Sequence, residues 1–209
     1  MPGVTDLGVF IVAGLLLNIT PGVDLLFITS RSVVQGRRAG IVAALGTGTG
    51  CLVHVTAAAL GLSVLLLSSS LAFTVVKYLG AAYLIYLGLS SLLRVSREKV
   101  NPSSCPASYL PPAKIFRQAI LINVLNPKIA LFFMALLPQF VVPGSDSPSL
   151  AFLFLGLVFT VNGTLVNILF AFFSSTVALR MKANAKVSRL LKRMSAALFV
   201  ALGLRLAVS

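Results

Sequence analysis

The sequence predicts an all-α polytopic membrane protein: six transmembrane helices arranged as two inverted three-helix repeats, with helices 1 and 4 broken. Three observations lead there. Apolar residues make up 58% of the 209-residue chain and charged residues 10%, against roughly 45–50% and about 25% in soluble domains. Mean hydropathy is +1.02, and a chain so poor in polar groups cannot cover a water-facing surface. The seventeen Lys and Arg, set against four Asp and Glu, fall in short clusters between apolar runs, the pattern of membrane loops. Finally, two of the apolar runs each carry an Asn followed closely by a Pro. Six spans of about 20 residues take roughly 120 positions, so the chain reads as one transmembrane domain, 1–209, with halves of about 1–93 and 115–209 joined by a linker of about 94–114.

Span one runs over about 7–29 and is interrupted at Thr20-Pro21-Gly22. It reads as a retained span, because a processed signal would carry a basic n-region and the only charge before it is Asp6. From 39 to 93 the one formal charge is Lys77. A single helix of that length would overrun a 30 Å hydrocarbon core, so Ser68-Ser69-Ser70 makes the turn between span two (about 41–67) and span three (about 71–93). The linker holds Pro102, Pro106, Pro111 and Pro112. Span four covers about 116–141, span five about 150–176 and span six about 188–208, with a short turn at Pro143-Gly144-Ser145-Asp146.

Loop charge sets the orientation. Fourteen of the basic residues lie in three loops: Arg31, Arg37 and Arg38; Arg94, Arg97, Lys99, Lys114 and Arg117; and Arg180, Lys182, Lys186, Arg189, Lys192 and Arg193. The other turns and the stretch before span one contain none. The positive-inside rule then puts both termini outside, in the periplasm of a bacterial cell. This distribution along loops also argues against nucleic acid as a partner, although a soluble chain of net charge +13 would suggest one.

The Asn–Pro pairs are the internal echo expected of inverted repeats. Span one reads Asn18-Ile-Thr-Pro21-Gly22 and span four Asn123-Val-Leu-Asn126-Pro127-Lys128. A proline removes one helical donor and frees a carbonyl one turn earlier. In lipid that carbonyl is tolerated only where protein or a cavity satisfies it, and matched interruptions in two halves point to a transporter's central site. For either proline alone a simple kink is an equal reading.

Two charges lie deep in these runs. Asp24 needs a polar cavity or a partner at that depth; it serves equally as a cap for the helix after the break, as a partner of Arg31, or as a substrate or proton site. Lys128 is either its ionic partner or a snorkelling side chain. Lys77 and Arg205, nearer span ends, read as snorkelling. His54, the sole histidine, is either a hydrogen-bonded packing residue or a proton relay. Asn162 and Asn167 line a cavity or bond between helices. The candidate substrate or proton site is therefore Asn18, Thr20, Pro21, Gly22, Asp24, His54, Asn123, Asn126, Pro127, Lys128 and Asn162.

Gly46, Gly48 and Gly50 have neither the Lys-Ser/Thr ending nor the preceding strand of a phosphate loop, so they read as close-packing positions, like Gly80-Ala81-Ala82 and Gly88. The same faces serve equally for contact between copies, which leaves a homo-oligomer open. Cys51 packs as a small hydrophobe and Cys105 sits in the linker; no metal cluster, cofactor motif or ATPase motif is legible, and the scattered acids do not suggest an enzyme.

These residues together resemble the LysE/RhtB family of bacterial amino-acid exporters. The resemblance rests on Asn18-Ile-Thr-Pro-Gly-Val-Asp24, Gly36-Arg-Arg-Ala-Gly40, Gly46-x-Gly-x-Gly50 with His54, Gly61-Leu62, Gly80-Ala-Ala-Tyr-Leu84 and Leu87-Gly88. In the second half it rests on Asn123-Val-Leu-Asn-Pro-Lys128, Phe132-Phe133 and Leu137-Pro-Gln-Phe140. It spans essentially the whole chain. One departure is Pro21-Gly22-Val23-Asp24, where the family commonly has Pro-Gly-Pro-Asp. The resemblance implies an inner-membrane exporter of amino acids driven by proton antiport. The scarcity of acids beyond Asp24 favours neutral substrates. In such a mechanism Asp24 receives the ammonium or a proton, while Lys128 and free backbone amides receive the carboxylate. The alternatives are a transporter of another small solute and a non-transporting accessory subunit.

Overall fold

The computed structural model describes residues 3–20, 22–62, 109–142, 145 and 147–183, with side chains as far as 174 in the last stretch, and scattered helical positions between 74 and 89 and between 193 and 208. Pro21, Lys77, Gly80, Gly88, Cys105, Arg205, the turn at 68–70 and the linker as far as residue 108 lie outside the described residues.

The described chain is helical. α1 (Leu7–Ile19) and α2 (Val23–Gln35) are bent 55° to one another at the first break. α3 (Arg37–Ala57) continues into a π-helical turn, Ala58–Leu62. α4 (Pro112–Val124) and α5 (Pro127–Leu136) meet at the second break, where the bend is 48°, and a 3₁₀ turn at Leu137–Phe140 follows. α6 is one helix of 36 residues, Pro148–Ala183. Among the described residues two helices, Arg37–Leu62 and Pro148–Ser174, are long and apolar enough to cross a membrane, and each bent pair qualifies as one further span, giving up to four.

The proline positions explain the helix starts. Pro112 and Pro127 each stand in the first turn of their helix, where the missing N–H has no intrahelical partner to lose. The fifth span departs from its expected boundary: α6 runs on past 176, so Arg180 and Lys182 extend the helix and do not lie in a loop. At 1.5 Å per residue α6 is roughly 54 Å long, beyond the 30 Å hydrocarbon core, so its basic end reaches past the apolar layer.

Two contacts tie the ends of the elements together. Val4 pairs with Val141 in an antiparallel bridge, with Thr5 N–H donating to the Phe140 carbonyl and Val142 N–H to the Gly3 carbonyl. Residues 3–5 and 140–142 therefore lie side by side. At the other end Gln35 donates through Nε2 to the Leu110 carbonyl and accepts the Leu110 N–H.

Packing separates into two apolar clusters. One is aromatic: Phe10, Leu17, Phe132, Phe133, Phe140, Phe152 and Phe159 are buried together, with the Phe159 ring centroid 5.1 Å from that of Phe132, tilted, and 5.2 Å from that of Phe133, edge-on. The other is built of small residues, Ala43, Ala44, Ala119 and Ala171, with Ile28 and Ile115. The glycines of α3 act as spacers, as expected. A methyl group at Gly46 would stand 2.6 Å from the Phe116 carbonyl oxygen, and one at Gly50 would stand 2.8 Å from that of Ile120, so α3 and α4 touch backbone to backbone. Ala81 is buried, and a methyl group at Gly203 would stand 2.9 Å from its carbonyl oxygen, which places these two predicted spans against each other.

Gly46→Ala should therefore lower the thermal midpoint of the detergent-solubilised protein, since overpacking against rigid backbone costs about 1–3 kcal/mol. Gly8→Ala, at a position with open space, should leave it unchanged or raise it through the greater helix propensity of alanine.

Candidate functional site

Both deep charges occupy the second residue of a helix that starts at a break. Gly22 is the N-cap of α2, so Val23 and Asp24 are its first two residues; Asn126 is the N-cap of α5, so Pro127 and Lys128 are its first two. Val23 replaces a proline at a first-turn position where proline is favoured but not required, and α2 begins there all the same.

Each side chain reaches across to the opposite break. Asn126 Nδ2 donates to Asp24 Oδ2 at 2.6 Å, and Asn123 Nδ2 donates to the same oxygen at 3.3 Å. Asp24 is thus neither a cap of its own helix nor a partner of Arg31, which bonds Gln35. In the other direction Lys128 Nζ donates to the carbonyls of Leu17 at 2.8 Å and Thr20 at 2.9 Å. Lys128 neither snorkels nor forms an ion pair with Asp24: its ammonium closes the carbonyl end of α1, where the helix dipole is negative. Asn126 also accepts the Lys128 N–H at 3.0 Å, an N-cap role its place beside proline did not announce.

The carbonyl accounting is specific. A proline at 127 cannot bond the Asn123 carbonyl four residues back, and a proline at 21 cannot bond that of Leu17. His54 Nε2 lies 3.0 Å from the Asn123 oxygen, a contact in which the ring N–H donates, and Lys128 takes the Leu17 oxygen. Each of these carbonyls also accepts a backbone N–H three residues on, Asn123 from Asn126 at 2.9 Å and Leu17 from Thr20 at 3.1 Å, so histidine and lysine, the two deep basic side chains of the described spans, each add a second donor to a carbonyl that a proline cannot reach. Phe133 packs beside the His54 ring, with centroids 6.1 Å apart.

A cavity opens between the breaks and the faces of α3 and α6. Asn18, Thr20, Gly22, Asp24, Asn123 and Lys128 line one side; Thr47, Gly48, Cys51, Thr160, Gly163, Thr164 and Asn167 line the other, with Leu25, Ile129 and Phe159. Its free space, about 30 Å³, suits water molecules or one small polar group, so a larger solute enters only if the surrounding helices part. Three buried polar atoms at this cavity have no hydrogen-bond partner among the described residues: Asn18 Nδ2, Asp24 Oδ1 and Asn123 Oδ1. Buried polar groups are normally paired, because an unpaired one forfeits its hydration. One donor and two acceptors thus remain around a single cavity.

Six of the eleven sequence-derived candidates line the cavity, and Pro127, at the start of α5, does not. Asn162 is half-buried and does not line the cavity, whereas Asn167, one turn on, does. Asn126 and His54 stand behind the lining and hold Asp24 and the Asn123 carbonyl. Pro21 lies outside the described residues. The polar wall of α3 and α6 was not among the candidates; its signal is small and hydroxylated residues at helical spacing, 47 and 51, then 160, 163, 164 and 167. Among the described residues no group of His, Cys, Asp and Glu could hold a metal ion.

The chain is similar to known proteins over nearly its whole length. Residues 15–209 match the family model described as LysE type translocator. The chain is 32% identical over 209 residues to an uncharacterised membrane protein of Pseudomonas aeruginosa, covering 99% of this chain and 97% of that one. It is 30% identical over 199 residues to a homoserine/homoserine lactone efflux protein of Salmonella typhimurium (95% and 94% covered) and 27% identical over 205 residues to a leucine efflux protein of Klebsiella pneumoniae (98% and 96%). No solved structure matches.

The cap assigned to Lys128 is testable. Lys128→Met removes the charged donor from the Leu17 and Thr20 carbonyls and should lower the thermal midpoint in detergent by the equivalent of about 1.5–3 kcal/mol, the range for hydrogen bonds to charged groups. Lys128→Arg, which keeps a cation with several donors, should fall between.

Proposed function

The chain belongs to the family of LysE type translocators, and from that premise we propose that it is a secondary exporter of neutral amino acids or close derivatives, driven by proton antiport. The efflux proteins among its relatives, for homoserine and for leucine, support the substrate class. The observation that carries the reading is the set of three unpartnered atoms at the cavity, which complements the head of an amino acid. The ammonium donates to Asp24 Oδ1 and Asn123 Oδ1. The carboxylate accepts from Asn18 Nδ2 and from the N–H of Lys128 not spent on the Leu17 and Thr20 carbonyls.

Coupling follows from Asp24 serving two ligands. A carboxylate can hold an ammonium or a proton, and binding one excludes the other. If the protonated form returns inward and the amino-acid-bound form moves outward, proton entry drives export. His54, engaged with the Asn123 carbonyl, positions the break in this scheme. The narrow cavity fits a site that opens by turns to either side.

The architecture we propose is six spans in two inverted halves, about 1–93 and 115–209, in the bacterial inner membrane with both termini periplasmic. The bent pairs, the matched second-residue positions of Asp24 and Lys128, and the pairing of Val4 with Val141 support it. A homo-oligomer is compatible with the exposed apolar helix faces.

Proteoliposomes loaded with a mixture of amino acids and placed under a pH gradient test the mechanism. Wild type should release neutral amino acids faster when protons can flow in, and Asp24→Asn should lose that stimulation and at least nine-tenths of the rate, roughly the worth of one charged hydrogen bond. Full-rate, still proton-coupled transport by the variant would remove Asp24 from the mechanism. For orientation, a cysteine at position 145 should react with an impermeant maleimide on intact spheroplasts, and one at position 35 only after permeabilisation.

A further inference from the structure

The wall facing the two breaks has a composition that the recognition of an amino-acid head does not require. Thr47 and Cys51 of α3 and Thr160, Thr164 and Asn167 of α6 present three hydroxyls, a thiol and an amide to the cavity. Elsewhere these two helices show lipid-facing or packing residues such as Leu45, Leu52, Val161 and Leu165, which are exposed. Small polar residues on membrane helices commonly serve helix–helix contact; here they also line the cavity that faces the breaks.

The hydroxyls are oriented. Thr47 Oγ1 donates its proton to the Ala43 carbonyl at 3.0 Å, and Thr160 Oγ1 donates to the Gly156 carbonyl at 2.8 Å, with Cys51 Sγ a second acceptor at 3.3 Å. With those protons committed within the protein, the two oxygens face a ligand as acceptors. Asn167 is buried, with 7% of its surface exposed, and its amide offers both donor and acceptor to the same wall. Gly48 lets Thr164 approach α3 closely, which narrows the cavity on this side.

From this wall we infer that Thr47, Thr160, Thr164 and Asn167 form a side-chain subsite that selects a short, hydroxyl-bearing neutral amino acid over a branched apolar or a basic one. The inference rests on the amino-acid reading above. With the ammonium at Asp24 and Asn123, the substrate's side chain projects toward α3 and α6, where its O–H donates to the threonine oxygens and accepts from Asn167. A leucine side chain would strip water from these groups and replace none of their hydrogen bonds, the situation in which a polar site rejects an apolar analogue most strongly. A lysine or arginine side chain would find no second carboxylate, because Asp24 is the one acidic residue of the lining, and it would bring its charge near that of Lys128.

Competitive efflux from proteoliposomes holding equal labelled serine, threonine, homoserine, leucine and lysine tests this. Wild type should release at least one of the three hydroxyl amino acids more than tenfold faster than leucine or lysine. Thr160→Val and Thr164→Val, which keep shape and lose the hydroxyl, should each cut the hydroxyl-to-leucine ratio about tenfold, and Thr160→Ser and Thr164→Ser, which keep it, should restore the ratio. A purely structural role would instead lower all rates together and leave the ratio fixed, which overturns the inference, as does a wild type that prefers leucine or lysine. In either of those results amino-acid export itself stands. If no amino acid is released under a gradient that drives a reference antiporter, the amino-acid reading falls and this inference with it. Should a valine variant fail to assemble, the ratio for the matching serine variant together with Asn167→Leu decides the same question.

Discussion

A proline inside a helix cannot donate to the carbonyl one turn earlier, and in lipid such a group needs a partner within the protein or a cavity. Two such interruptions would be two liabilities if they lay apart. Here they face each other, and each supplies what the other lacks. Lys128, from the helix after the second break, bonds the carbonyls of Leu17 and Thr20 before the first; Asp24, from the helix after the first break, is bonded by Asn123 and Asn126 at the second. The rest of the fold is arranged around that exchange. The aromatic cluster and the alanine-rich cluster sit on either side of the polar layer, and the glycines of α3 bring the helices close enough for short side chains to reach across it.

That arrangement also separates two jobs that one pair of charges might have shared. A direct Asp24–Lys128 ion pair would neutralise both groups and leave little for a solute to bind. Instead, the lysine is directed to backbone oxygens, and the carboxylate is held by amides through one oxygen only. Amide donors fix the carboxylate without cancelling its charge, so its second oxygen stays available to a cation. Neutral partners on one side and an unpaired acceptor on the other are what exchange between an ammonium and a proton requires.

The same geometry accounts for the contrast between the two sides of the cavity. The breaks present a charge-bearing surface, which the proposal assigns to the head of an amino acid, whereas α3 and α6 are unbroken there and present neutral side chains at helical spacing. Variation along unbroken helices changes a side chain without disturbing backbone hydrogen bonds. Variation at the breaks would disturb the exchange itself. A division of this kind lets one scaffold keep its way of holding the amino-acid head while its choice of side chain changes.

The sequence alone determined the membrane class, the helical class, the places of the interruptions and the packing role of the glycines. Each follows from composition or from covalent chemistry: few charges, apolar runs of spanning length, prolines without N–H groups, residues without side chains. It also singled out Asp24 and Lys128 by depth. What it left open was direction, because a charge in a helix reads the same in sequence whether it caps its own turn, snorkels or reaches another helix. Only the tertiary structure decided that Lys128 serves α1, that Asn126 both caps α5 and holds Asp24, and that His54 meets the Asn123 carbonyl, four residues before Pro127. Asn162 and Asn167 show the same limit. Both are polar residues of one apolar helix, five positions apart, and which of them faces the cavity depends on how α6 is rotated against α3 and α1. That rotation is set by contacts among residues distant in sequence, such as Gly163 against Asn18 and Gly156 against Val55, and no local pattern encodes it.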